Sequence, residues 1–275
     1  MKKLILLSSA LVALTACTSK QAGNTDEAAP TRSLVVYYSQ TGATRQVAEL
    51  LAAKTGADLD SVVAEVPYGG TFDETIARCL KEQQEGTQTA VKALSHDVAN
   101  YDTLYVGYPV WFGTMAPPMA SFVKSQTLDG KVIIPFCTFG SGGLETSAND
   151  LKAAQPNATY LEGYGIRNAR VASASAELDE YLIRTGILAG EVEALPAYAD
   201  ATPVDAEKQA IFDAACGSYP MPLGKPVTVA TRTLADKTQY CFTVESMGRD
   251  GQPAQAQIIV EQSGEQSPEF IKAIR

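Results

Sequence analysis

Three stretches of this chain are apolar almost throughout rather than at alternate positions: Leu34-Val35-Val36-Tyr37-Tyr38, Thr103-Leu104-Tyr105-Val106-Gly107 and Val132-Ile133-Ile134-Pro135-Phe136-Cys137. A strand with one wet face alternates polar and apolar residues. A strand without that alternation is buried on both faces, which points to a parallel sheet covered by helices. Each run is indeed followed by a helical pattern, over residues 44–54 through Val47, Leu50 and Leu51, near 119–124, and over 146–154. A strand-like segment at 59–66, a helix at 72–85, a short strand at 159–161 and a helix at 176–187 complete the series. The expectation is an α/β domain over residues 33–190 with a doubly wound, five-stranded parallel sheet. Such sheets bind ligands at the carboxyl ends of their strands, so chemistry is expected after strands one, three and four.

The two ends of the chain read differently. Met1-Lys2-Lys3 followed by an apolar run to Leu14 has the form of a secretory signal, too short to span a bilayer. It ends in Leu14-Thr15-Ala16-Cys17, which resembles the bacterial lipobox. That resemblance implies a signal peptide over 1–16 and lipidation of Cys17. It also implies an exported, membrane-anchored protein facing the periplasm or cell surface. An ordinary signal peptide with an incidental cysteine is the alternative. Residues 17–32 are small and polar and read as a flexible tether. Beyond 191, prolines and glycines break the pattern. One helix is expected with Thr202 as its cap, Pro203 in its first turn and an apolar stripe of Ile211, Phe212 and Ala215. Strands at 227–234, 239–245 and 256–261 follow, the last after the turn signal Gly248-Arg249-Asp250-Gly251. Residues 191–275 therefore read as a separate small α+β domain.

The net charge of −9, from 22 basic and 31 acidic residues, repels polyanions and argues against a nucleic-acid partner. Cys79, Cys137, Cys216 and Cys241 lie outside any CxxC spacing, so no metal site is expected. Four buried free thiols are the simpler reading, with a Cys216–Cys241 disulfide as the alternative. His96, the single histidine, sits in a polar stretch and reads as a solvated loop residue rather than a catalytic one. No catalytic acid or base stands out.

Three loops carry the functional signal. Ser39-Gln40-Thr41-Gly42-Ala43-Thr44 joins the first strand to the first helix. Its hydroxyls, its amides and the positive helix end suit a phosphate, and Gly42 lets the backbone approach closely. A Ser/Thr-rich turn that merely caps a helix would look the same. The second loop, from Tyr108-Pro109-Val110-Trp111-Phe112-Gly113 to Thr114-Met115-Ala116-Pro117-Pro118, holds the only tryptophan and would stack on a planar apolar ligand. Packing of those rings into the core is the competing reading. The third, Thr138-Phe139-Gly140-Ser141-Gly142-Gly143, again follows a strand.

Together these segments resemble the flavodoxin family, whose loops read S-x-T-G-x-T, YP-x-W-x-GT-x-PPP and PF-x-T-x-G-G. The resemblance covers about 34–188 and implies a flavodoxin-like fold with bound FMN, active in electron or hydride transfer. It implies that Ser39, Gln40, Thr41, Gly42, Ala43 and Thr44 hold the ribityl phosphate. Pro109, Val110, Trp111, Phe112 and Gly113 would cover one flavin face, and Thr138, Phe139, Gly140 and Gly142 would line the opposite edge. Ala116 stands where the family more often has proline, and Phe112 where tryptophan is common. Glu145, just past the third loop, is the only carboxylate these segments bring, which favours a flavin potential less extreme than that of low-potential shuttles. The expected partners are a redox protein or a small-molecule acceptor, with the membrane reached through the lipid anchor. A flavin-free scaffold on the same fold is the alternative. The segment 231–242 is similar to the cystatin hairpin Q-V-V-A-G-x-N-Y-x-F, with Arg232 and Asp236 departing from it. The small domain therefore reads as a structural or docking module.

Overall fold

The computed structural model describes residues 31–69, 71–140, 143–191, 194–219, 222–247 and 251–274. The signal peptide, Cys17, most of the tether, Gly142 and the turn residues 248–250 lie outside them.

The first sheet contains β1 (Ser33–Tyr37), β2 (Asp58–Ser61), β3 (Thr103–Trp111) and β5 (Val132–Phe139), with the short strands β6 (Thr159–Tyr160) and β7 (Tyr164–Arg167) in turn alongside β5. The order β2-β1-β3-β5-β6/β7 is parallel throughout, with β1 on both β2 and β3. Five positions are filled, the fifth by two pieces. The carbonyl of Ile133 accepts from the Leu161 N–H at 3.1 Å, so alternate residues of β5 offer their backbone to that side. Pro135, two residues on, has no N–H to offer there, and the ladder breaks opposite it.

Both faces of the sheet are covered. Leu34, Val36, Leu104, Val106 and Ile133 pack against α3 (Pro117–Ser125) and α4 (Leu144–Ala154). Val35, Tyr105, Ile134 and Phe136 pack against α1 (Ala43–Thr55) and α5 (Ala174–Arg184). The unbroken apolar runs thus bury residues of both parities, as the sequence required. Gly107 of β3 lies beside Phe136 of β5, and a Cβ there would come within 2.0 Å of the Phe136 ring. The helix α2 (Phe72–Glu85) falls where its periodicity put it.

Several bounds differ from expectation. The strand-like segment 59–66 ends at Ser61; beyond it the chain turns along residues 90–92, with Ala64 bridging Val91. β3 runs to Trp111 and folds back through β4 (Thr114–Met115), so Tyr108 to Trp111 are strand rather than loop. β5 likewise includes Thr138 and Phe139. β7 and a 3-10 turn over Asn168–Ser173 escaped the sequence pattern.

The second sheet is antiparallel, ordered β12-β11-β10-β9-β8: β8 (Thr202–Pro203), β9 (Lys225–Thr233), β10 (Thr238–Met247), β11 (Pro253–Gln262) and β12 (Glu269–Ile274). One face carries Val229, Tyr240, Phe242, Val244, Ile258 and Val260 against Phe212 and Cys216 of α6 (Ala206–Cys216). Thr202 and Pro203 are not the start of α6. They pair with Val229 and Thr228 at the sheet edge, and Asp205 caps the helix by accepting from the Lys208 N–H at 2.8 Å. Cys79, Cys137, Cys216 and Cys241 are all free. Cys241 alternates away from Tyr240 and Phe242 and is half-buried, so it shares no face with Cys216. Both sheets belong to one compact unit over 31–275.

Candidate functional site

The strand order reverses between β1 and β3, and the segments leaving their carboxyl ends diverge there. Two cavities open at this end. The first, about 500 Å³, lies between the Ser39–Gly42 loop and the segment 61–68; its walls include Tyr38, Tyr68 and Arg45. The second, about 490 Å³, shares Thr41, Gly42 and Arg45 and is bounded on one side by Asn168 and Val171 of the 3-10 turn. Both sizes suit a cofactor.

The first loop is built as an anion receptor. Gly42 adopts φ 95°, open to glycine and disfavoured for residues with a Cβ, and so turns the chain into α1. Its N–H donates to Ser39 Oγ at 3.1 Å, which leaves the Ser39 hydroxyl hydrogen for a ligand. No side chain caps α1, and its first turn holds no acidic residue. The positive helix end is therefore left uncompensated beneath the shared cavity wall, with Thr41 exposed beside it. The Arg45 guanidinium reaches no nearer to Glu49 than 3.8 Å and stays largely exposed. Thr44 is buried and its hydroxyl shares a 2.8 Å hydrogen bond with Thr138 of β5. One donor of that pair is consumed by the bond, and the pair ties the first loop to the third. Gln40 is engaged at both ends: its carbonyl accepts from the Tyr38 hydroxyl at 2.6 Å and its amide donates to the Tyr68 carbonyl. It shapes the wall rather than offering free donors.

The aromatic wall contains residues the sequence did not single out. Trp111 is half-buried and meets Tyr38 and Tyr68 edge to face, at centroid distances of 6.0 and 5.3 Å. Burial lifts the Tyr38 hydroxyl to about 12; Tyr68 is raised too, by burial and by its hydrogen bond to Glu82. Both phenols stay protonated donors at neutral pH. Arg78 lies 3.8 Å over the Tyr68 ring and pairs with Glu82 at 2.8 Å. Tyr38 and Tyr68 are ordinary core-type tyrosines in sequence; only the approach of the 61–68 segment reveals them. Counting carboxylates within the loops also missed Glu82, brought in by α2, and Asp150 of α4, which accepts from Thr114.

Phe112 and Gly113 form the two-residue tip of the β3–β4 hairpin, both with positive φ, 53° and 85°. That sign pattern belongs to a type I′ turn, which favours Asn or Gly. Phe112 is the only non-glycine residue with positive φ among the described residues, and its ring is 49% exposed. A bulky residue in this conformation is strained. Pro109 and Val110 sit in β3 below the tip, half-buried. Thr138 and Phe139 are buried, and Gly140 is exposed. Neither cavity is lined by residues 109–113 or 138–140, so the structure gathers the first loop and the 61–68 segment most closely. Trp111 is joined to them through its ring contacts, and Thr138 through Thr44. His96 is not a freely solvated residue: its Nδ1 lies 3.1 Å from Asp60 Oδ2 on β2. Among the described residues no cluster of His, Cys, Asp or Glu could hold a metal.

The flavodoxin family model matches residues 32–182, more than half of the chain. The chain belongs to the flavodoxin family. Crystal structures similar to this flavodoxin-family chain include a candidate flavoprotein from Bacteroides eggerthii, 29% identical, which matches 54% of this chain and 96% of its own with a TM-score of 0.48. Another candidate flavoprotein, from Bacteroides uniformis, is 24% identical over 54% of this chain and 98% of its own, with a TM-score of 0.48. A flavoprotein from Lactobacillus acidophilus, solved in complex with FMN, is 22% identical over 53% of this chain and 99% of its own, with a TM-score of 0.43. The family match stops before β8, so the antiparallel domain lies outside it. In that domain Arg232 and Gln239 are engaged internally. Arg232 Nε donates to Gln239 Oε1 at 2.8 Å, Gln239 donates to Glu261 at 2.7 Å, and the Arg232 guanidinium covers Tyr198 at 4.4 Å.

Proposed function

We propose that this flavodoxin-family chain binds FMN at the carboxyl end of its parallel sheet and exchanges electrons or hydride with a redox protein or a small-molecule acceptor. The observation that carries this reading is the uncapped, unneutralised start of α1 beneath the cavity wall, with Ser39, Thr41, Gly42 and Arg45 converging on it. A phosphate supplies the acceptors those donors lack. The donor set fits the group. When bound, FMN supplies the redox chemistry through its ring.

The chain's own residues bind, orient and shield. Ser39 and Thr41 donate hydroxyls to the phosphate, and Arg45 adds charge. Tyr38, Tyr68 and Trp111 offer an apolar wall for the ring. Tyr68 and Trp111 are in contact, whereas rings that sandwich a planar ligand stand roughly 7 Å apart, twice the ~3.5 Å contact distance. The flavin therefore stacks on the free side of this wall or parts the two rings.

Replacing Thr41 with Asp sets a carboxylate against the phosphate at a position where the side chain is exposed and free to fold. FMN affinity should fall by roughly 100-fold or more with the fold intact. A Thr41→Asp protein that purifies with full flavin would refute the placement. A wild-type protein that takes up no FMN would favour the scaffold reading. The Leu14-Thr15-Ala16-Cys17 segment supports, as part of the same proposal, an exported lipoprotein; loss of lipid labelling in Cys17→Ala tests it.

A further inference from the structure

The antiparallel domain meets the parallel one at the third loop, which Thr138 ties to Thr44 of the first, and at the 3-10 turn that walls the second cavity. Tyr219, just beyond α6, donates its hydroxyl to the Gly140 carbonyl at 3.0 Å, in the third loop. Arg167 of β7, paired with Phe139 in the sheet, donates to the Phe270 carbonyl at 2.8 Å. Its guanidinium lies 4.2 Å from the Phe270 ring and 5.2 Å from the Tyr219 ring, and those two rings meet edge to face at 5.2 Å. Three residues further on, Arg170 is buried between Glu177 at 2.9 Å and Glu269 at 3.1 Å. Arg170 belongs to the 3-10 turn whose Asn168 and Val171 wall the second cavity. β12 and the segment after α6 thus grip both the third loop and the turn facing Thr41 and Gly42.

The grip is specific. Arg167 is desolvated, which lowers its affinity for a proton, yet it is held by a carbonyl and two ring faces rather than by a carboxylate within hydrogen-bond reach. The Gly140 backbone carries no side chain that could anchor the loop itself. The Tyr219 hydroxyl adds an anchor from the other domain to those the parallel domain supplies, Thr138 on Thr44 and the Gly143 carbonyl on the Ser147 hydroxyl. A loop held in one conformation before a ligand arrives binds more tightly than one that must first be ordered.

We propose that the antiparallel domain sets the cofactor site, with Tyr219 as the positioning residue that holds the Gly140 loop through its hydroxyl, so that FMN binding and domain docking favour one another. The inference rests on the FMN reading above. It gives the second domain a role in the chemistry of the first, distinct from docking to another protein. By reciprocity, whatever factor the docked domain adds to FMN affinity, FMN adds to docking.

Tyr219→Phe removes only the hydroxyl and keeps the ring against Arg167 and Phe270. It should bind FMN about 3- to 10-fold more weakly, the range of one lost hydrogen bond, with an unchanged melting profile in the absence of flavin. FMN should slow amide exchange around Tyr219 and Phe270 in the wild type, and do so less in Tyr219→Phe. Lys237→Gln breaks the Lys237–Glu261 pair of the same domain without touching the third loop or the 3-10 turn, and should bind FMN within about twofold of wild type. Wild-type binding and exchange protection in Tyr219→Phe would overturn the coupling while leaving the FMN site standing. An equal loss in Lys237→Gln would overturn Tyr219 as the positioning residue. A wild-type chain that binds no FMN removes the proposed function and the coupling together.

Discussion

The two sheets of this protein handle their backbones and faces in opposite ways. The parallel sheet is buried on both faces, between α3 and α4 on one side and α1 and α5 on the other. Neither face is open to a ligand, so a site forms where strands give way to loops. The antiparallel sheet buries one face under α6 and turns a polar face outward, where Arg232, Gln239, Glu261 and Lys237 bond to one another. The difference teaches where to look: the doubly covered sheet concentrates chemistry at its carboxyl edge. The antiparallel domain touches that end of the sheet through Tyr219, Phe270 and Glu269.

The sharpest way to break this comparison is to injure each core and watch the other. Phe242 is fully buried between β10 and α6, and Phe242→Ala should cost about 3–5 kcal/mol in the antiparallel domain. Gly107→Ala forces a methyl into the Phe136 ring and should cost about 1–3 kcal/mol in the parallel domain. Trp111, the only tryptophan, reports on the parallel domain, while far-UV circular dichroism reports on both. Independent cores predict that Phe242→Ala leaves the Trp111 transition nearly in place and Gly107→Ala moves it. A single transition displaced alike by both variants would make the two sheets one cooperative unit.

A smaller effect sharpens the account of the hairpin tip. Phe112 sits at φ 53° with half its surface exposed, so its strain is not repaid by burial. Phe112→Gly should raise stability by about 0.5–1 kcal/mol in denaturant titrations followed at Trp111, since relief of left-handed strain exceeds the entropic cost of glycine. A loss of that size would show that the ring makes a stabilising contact.

Much of this was legible in the sequence, and for stated reasons. Unalternating apolar runs such as residues 34–38 and 132–137, each followed by a helical pattern, suit doubly covered strands, so the parallel sheet followed from them. Ser39 to Thr44 were legible because hydroxyls and a glycine stood between a strand and a helix. What stayed hidden depends on distant partners. Strand β3 continues through Pro109 to Trp111 because β4 and β5 pair with it, not because its composition changes. The broken fifth strand follows from the N–H that Pro135 lacks, opposite residues 161–163. Thr202 and Pro203 looked like a helix start until the edge of β9 claimed them, leaving the cap to Asp205. Tyr38, Tyr68 and Tyr219 carried no local signal, since a tyrosine at a site reads the same as one in a core.

The central claim is that the start of α1 holds the phosphate of a flavin. Titrating flavin-free protein with FMN and, separately, with riboflavin, which has the same ring and no phosphate, tests it most directly. Several charge-assisted hydrogen bonds to the phosphate predict FMN binding at least roughly 100-fold tighter than riboflavin, with flavin emission quenched against the Tyr38, Tyr68 and Trp111 wall. Equal affinity for the two, or no binding of either, would contradict the account.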